Sequence, residues 1–153
     1  MAQVIIAPNE LYTLYSETET KLFLAGGITD CPDWQADFIR EFRNTNKLVI
    51  SSPRRPKKPE SDKLEEQIVW EHRHLREADI VVFWFSEGSV NPITLYELGL
   101  MLTSDKVVVI GVHPDYTKKD DVIIQSRLIR DIMIAKNFEQ LIALTRKELA
   151  FLK

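Results

Sequence analysis

The chain has 153 residues, of which 44% are hydrophobic and 28% charged, with a net charge of −3; this is the balance of a soluble globular protein with one substantial core. Such a charge argues against a nucleic acid polymer as main partner, since that binding needs a basic face, and no apolar run reaches the ~18 residues of a membrane span. The single cysteine, Cys31, makes no internal disulfide, and the N-terminus lacks a charged region followed by a long apolar one, so a cytoplasmic protein is expected.

Taken in order, residues 3–7 form a short β-branched run closed by Pro8 and Asn9. This predicts an edge strand, or a peripheral arm, within residues 1–20 of a single domain spanning 1–153. Lys21-Leu22-Phe23-Leu24-Ala25 is the next strand and opens onto Gly26-Gly27. Trp34, Phe38, Ile39 and Phe42 then recur at helical spacing, with Asp33 as N-cap. Leu48-Val49-Ile50 is a strand leading into a loop rich in proline and basic residues. From Ser61 a helical pattern runs through Leu64, Ile68, Leu75 and Ala78.

Residues 79–85, DIVVFWF, form a continuous apolar run, as expected of a strand covered on both faces. A helix containing Glu97 follows, then the strand Lys106-Val107-Val108-Val109-Ile110-Gly111. Residues 121–133 and 137–152 read as helices, with room for a very short strand around Ile134. This alternation predicts a doubly wound α/β fold: a parallel sheet of about five strands with helices on both faces. Ligands of such sheets bind at the carboxyl ends of the strands, which collects Gly26-Gly27, Ser52-Pro53-Arg54, residues 86–91 and the start of the Glu97 helix at one edge.

Glu97 is the residue that most needs an explanation, because Ile93, Leu95, Tyr96, Leu98, Leu100, Met101 and Leu102 surround it in sequence. An ionised carboxylate in apolar surroundings is costly unless paired or chemically engaged. Two readings fit: a nucleophile, or a surface glutamate on a half-exposed helix. Asn91-Pro92 is a favourable helix start and could be capping alone. Glu71 sits in a charged run and reads most simply as solvated, unless Trp70 turns to the core and brings it to a pocket rim. His72 and His74, two apart on a helix, point in different directions and are read as surface residues, with no metal site.

Gly26, Gly27 and Ile28 offer close backbone approach to a ligand, or simply a tight turn; GGITD lacks the spacing of a dinucleotide fingerprint, and no cofactor motif is present. Arg54, Arg55, Lys57 and Lys58 form a solvated basic loop, with a phosphate clamp as the functional alternative. Trp34, Trp84 and Phe85 could stack on a planar base, although Trp84 and Phe85 lie on opposite faces of their strand.

FLAGGITD, WEHRHLREADIVVFWF and NPITLYELG together resemble the nucleoside 2-deoxyribosyltransferase-like family over residues 22–111. The resemblance implies a flavodoxin-like fold and cleavage or exchange of N-glycosidic bonds in a small-molecule nucleoside or nucleotide. It also implies no cofactor and a homo-oligomer whose neighbours complete the pocket. The family's nucleophile falls on Glu97, and its acid/base carboxylate falls by spacing on Glu71, where the family usually has Asp. Six residues before the nucleophile, where family members carry Asp or a phosphate-binding Ser, this chain has Asn91. Asn91 is therefore expected to bond a sugar hydroxyl or a base edge, with Ser86, Ser89 and Arg54 as candidates for a 5′-phosphate. Two alternatives stand beside this: a nucleotide-binding or sensing module without turnover, and a phosphoribohydrolase of the lysine-decarboxylase-like type, which Thr94-Leu95-Tyr96-Glu97 also fits.

Overall fold

The computed structural model describes residues 1–9 and 18–152. Its strands are β1 (Gln3–Ile6), β2 (Thr20–Gly26), β3 (Leu48–Ser52), β4 (Ile80–Phe85), β5 (Val107–Val112) and β6 (Ile134–Ala135). Its α-helices are α1 (Trp34–Phe42), α2 (Leu64–Glu77), α3 (Pro92–Leu102), α4 (Lys119–Ile129) and α5 (Phe138–Phe151), with a 3-10 turn at Ser61–Lys63 leading into α2.

The strands make one six-stranded sheet in the order β1-β3-β2-β4-β5-β6, and every pairing is parallel. Counted from β2, this is the flavodoxin-like order, with β1 added outside β3. The count exceeds the expected five because β1 pairs fully with Val49 to Ser52, and the short segment at Ile134 does bond to β5. The rest of the N-terminal arm, at residues 10–17, lies outside the described residues.

β4 is central and buried along its whole length. Its side chains alternate as strand geometry requires: Val81, Phe83 and Phe85 enter the core under α2 and α3, and Ile80, Val82 and Trp84 enter the core under α1 and α5. Both Trp84 and Phe85 are thus core residues. Each large side chain so buried contributes about 1.5–3 kcal/mol, so the two layers hold the sheet from both faces.

Two helices, α2 and α4, depart from the sequence-based expectation. Leu64 and Ile68 are exposed, and the buried stripe of α2 is Gln67, Trp70, His74 and Leu75. His74 is not a surface residue: its ring stacks on Trp70, and its Nδ1 shares a hydrogen bond of 2.9 Å with Ser51 Oγ. The helix expected to run to residue 133 ends at Ile129. There Arg130 turns back to donate to the carbonyls of Met101, Leu102, Ser104 and Lys106, at 2.6–2.8 Å. This guanidinium satisfies the exposed carboxyl end of α3, where a cation also suits the helix dipole.

Candidate active site

The strand order reverses between β2 and β4, because the chain leaves β2 towards β3 and returns to β4 on the other side. A gap opens at the carboxyl ends of those strands. Here it is a cleft of about 580 Å³ walled by the glycine loop after β2, by α2 and by the first turns of α3. Its floor and sides are largely apolar, with Phe23, Ala25, Ile28, Leu64, Ile68 and Leu75 among them. Glu71 and Glu97 both line it.

α3 presents Ile93, Thr94 and Glu97 to the cleft, at the i, i+3 and i+4 spacings that share a helix face. Its other apolar residues divide: Leu98, Met101 and Leu102 are core, whereas Ile93, Tyr96 and Leu100 are exposed. The apolar setting of Glu97 therefore comes from the cleft walls more than from its sequence neighbours. Burial pushes the Glu97 carboxyl up to about 8, and the neighbouring charge of Glu71 adds to the rise. Glu71 is also raised by burial, but a hydrogen bond from Gln67 and the positive charge of Arg55 hold it back.

Glu71 reaches the rim because Trp70 turns inward. The indole is buried against Phe23, and its Nε1 donates 2.9 Å to the carbonyl of Asn9. The next residue must then face the cleft. Gln67, one turn earlier, donates 2.6 Å to Glu71 Oε1 and 3.0 Å to the carbonyl of Pro53, while its own oxygen accepts from Arg55 Nε. Sequence reasoning misses Gln67, although its i, i+4 spacing to Glu71 is an available signal.

Asn91 does not cap α3 through its side chain. It sits in the left-handed region, with φ 52° and ψ 61°, and makes no side-chain cap bond. The side chain is buried instead beside Gly27, where a β-carbon would come within 2.5 Å of Asn91 Oδ1. Asn91 Nδ2 has no partner among the described residues, and the residue lines the cleft. The loop before it is held by Tyr116, whose hydroxyl donates 2.5 Å to the carbonyl of Val90.

Gly26, Gly27 and Ile28 line the cleft. A β-carbon on Gly26 would meet the Trp34 ring at 2.5 Å. Trp34 supports the glycine loop from behind: it is buried with Phe38 and Phe42, and its Nε1 donates to the Gly27 carbonyl at 3.3 Å. Trp34 is thus absent from the cleft wall. Arg54 is absent too, because its guanidinium donates to the carbonyls of Cys31 and Pro32 at 3.2 and 2.9 Å. Ser86 lies buried at the end of β4 and outside the cleft lining, whereas Ser89 lines it. No lysine or arginine lines the cleft among the described residues.

Among the described residues, the group able to gather three metal-binding atoms is Glu87, His113 and Asp115, away from the cleft lining. His113 Nδ1 already accepts the Asp115 N–H at 3.1 Å. That bond places the neutral ring's proton on Nε2 and leaves no ring lone pair free for a metal.

The nucleoside 2-deoxyribosyltransferase-like family model matches residues 19–116, well over half of the chain and all of the cleft elements, and the chain belongs to this family. No curated protein matches it. Its structure is similar to that of a conserved protein from Enterococcus faecalis V583, with a TM-score of 0.59 and 11% identity, over 85% of this chain and 99% of that one. This likeness bears on the fold. No helix among the described residues is long and apolar enough to cross a membrane.

Proposed function

We propose that this protein cleaves or transfers the N-glycosidic bond of a nucleoside, with Glu97 as nucleophile and Glu71 as acid/base. The observation that carries this reading is the pair of carboxylates lining one apolar cleft at the switch point of the sheet. In the first half-reaction a Glu97 carboxylate oxygen bonds to the anomeric carbon as the bond to the base nitrogen breaks. The electron pair goes to the base, and Glu71 supplies its proton. Charge develops on the sugar as an oxocarbenium-like species, which the carboxylate stabilises and then traps as a glycosyl ester. Water or a second base, giving its proton to Glu71, attacks the same carbon and frees Glu97.

The competent cleft holds one proton between two carboxyls. In the empty cleft burial keeps that proton on Glu97 up to about pH 8, so the working form, with Glu97 ionised and Glu71 as the acid, is reached when the shared proton passes to Glu71 in the bound complex. Asn91 Nδ2, a buried donor without a partner among the described residues, suits a sugar hydroxyl or a base edge. The lack of lysine and arginine among the described lining residues favours an unphosphorylated nucleoside, and counts against the phosphoribohydrolase reading. Leu64, Ile68 and Ile93, exposed apolar residues in the cleft lining, support a homo-oligomer in which a neighbour covers the mouth. The test is free-base release from a panel of nucleosides, deoxynucleosides and their 5′-monophosphates. Release from an unphosphorylated member, abolished in Glu97→Ala, supports the proposal. Binding without release across the panel identifies a sensing module instead.

A further inference from the structure

Gln67 is buried in the wall of the cleft, an unusual place for an amide unless its polar atoms are all engaged. They are engaged in a way that allows a single orientation. Arg55 has only donors to offer, so the amide oxygen must face its Nε. The Pro53 carbonyl can only accept, so the amide nitrogen must face it, at 3.0 Å. The second amide hydrogen is then directed at Glu71 Oε1, 2.6 Å away. Arg55 is itself held, by an ion pair of 3.1 Å with Glu66. Glu66, Arg55, Gln67 and Glu71 form a chain in which every link has a defined donor and acceptor.

We propose that Gln67, locked by Arg55, is a positioning residue that reserves Glu71 Oε1 as a permanent acceptor and leaves Oε2 as the oxygen that gives and takes the catalytic proton. The proton on Oε2 passes to the leaving base nitrogen as the glycosidic bond breaks, and a proton from the incoming water or base returns to it. Without the Gln67 bond, the Glu71 carboxyl can rotate and carry its proton on either oxygen, so a smaller share of the bound complexes is aligned. The charged and titratable groups around Glu71 are Glu97 on α3, Arg55 and Glu66 along the relay, and His72 at the cleft. Removing the amide removes the bond that favours the anion, so Glu71 then titrates at higher pH.

This inference rests on the proposed glycosyl chemistry, and its test separates the two. Gln67→Met keeps the bulk and removes the donor; Arg55→Met frees the amide to flip and serves should Gln67→Met fail to fold. Two quantities are measured: kcat and KM for base release, and the titration of the Glu71 carboxyl by 13C NMR, which needs no turnover. The expected result is a kcat reduced about 10–100-fold with KM changed less than about threefold, and a Glu71 midpoint moved upward. An unchanged Glu71 midpoint together with parental kcat overturns the relay, while loss of base release in Glu97→Ala keeps the glycosyl reading intact. Absence of base release from the unaltered protein removes that reading, and the NMR midpoint still decides whether Gln67 sets the proton affinity of Glu71.

Discussion

The side-chain oxygen of Asn91 lies so close over Gly27 that a β-carbon there would sit 2.5 Å from it. The glycine loop after β2 and the loop entering α3 therefore meet at van der Waals contact, with a buried amide between them. Gly27→Ala forces that amide aside. Base release should fall at least about tenfold, with about 1–3 kcal/mol lost from stability, by overpacking. Gly99 is the control. It lies in a helix, and nothing stands within 4 Å of the place a methyl group would take, so Gly99→Ala should leave activity unchanged and add about 0.5–1 kcal/mol. Thermal unfolding and steady-state kinetics of the two variants check both.

The carboxyl pair predicts how activity depends on pH. Because the cleft needs one anion and one acid, kcat/KM should fall above about pH 8, where Glu97 loses the last proton. It should also fall at low pH, where Glu71 becomes protonated alongside it. A pH profile with no alkaline limb between pH 7 and 9, on a scale where about one unit is tenfold, would count against a shared proton.

Stability should respond to the same group. The folded chain holds the Glu97 proton to about 8, against 4.5 for an ordinary glutamate. Between those values it binds more protons than the unfolded chain, so its stability falls as pH rises through that window. Glu97→Gln removes this term. Relative to the parent, the variant should gain stability progressively from pH 5 to 8, reaching roughly 2–4 kcal/mol, and then level off. Denaturant titrations at several pH values measure the difference.

Tyr116 holds the loop before α3 through a single hydroxyl bond to Val90. Tyr116→Phe should cost about 1 kcal/mol of stability. It should reduce kcat/KM more than that figure implies, because the carbonyl it releases is next to Asn91. Thermal unfolding and steady-state kinetics of the variant give the two numbers to compare.

Arg130 separates fold from chemistry. It donates to two carbonyls at the carboxyl end of α3 and two in the turn that follows and does not line the cleft. Arg130→Met should lower stability by about 2–4 kcal/mol, since these bonds are charge-assisted and partly buried. At temperatures where the variant remains folded, kcat and KM should stay parental.

The layered fold is legible in the sequence because its signals are periodic. The unbroken DIVVFWF run fits a strand covered on both faces, and the alternation around it points to a parallel sheet. The face of α2 is not legible. Apolar periodicity places Leu64 and Ile68 in the core, yet they are cleft residues. The core positions include Gln67 and His74, whose burial depends on Pro53, Arg55 and Ser51, partners brought up by the fold from an earlier loop and strand. Asn91 is ambiguous for a related reason. Asparagine tolerates the left-handed region as readily as it caps a helix, and only the nearness of Gly27 decides between the two. Arg54 and Trp34 have the right chemistry for a phosphate and a base, but the loop after β2 occupies both.

A nucleophilic Glu97 bonds covalently to the sugar. A 2-fluorinated deoxynucleoside slows breakdown of such an ester, so the adduct can be caught and its position read by peptide mass mapping. The expected result is release of one base per active site, with the sugar's added mass on the peptide that contains Glu97. Stoichiometric base release with the added mass on the Glu71 peptide, or with no adduct under conditions that trap esters, would contradict it.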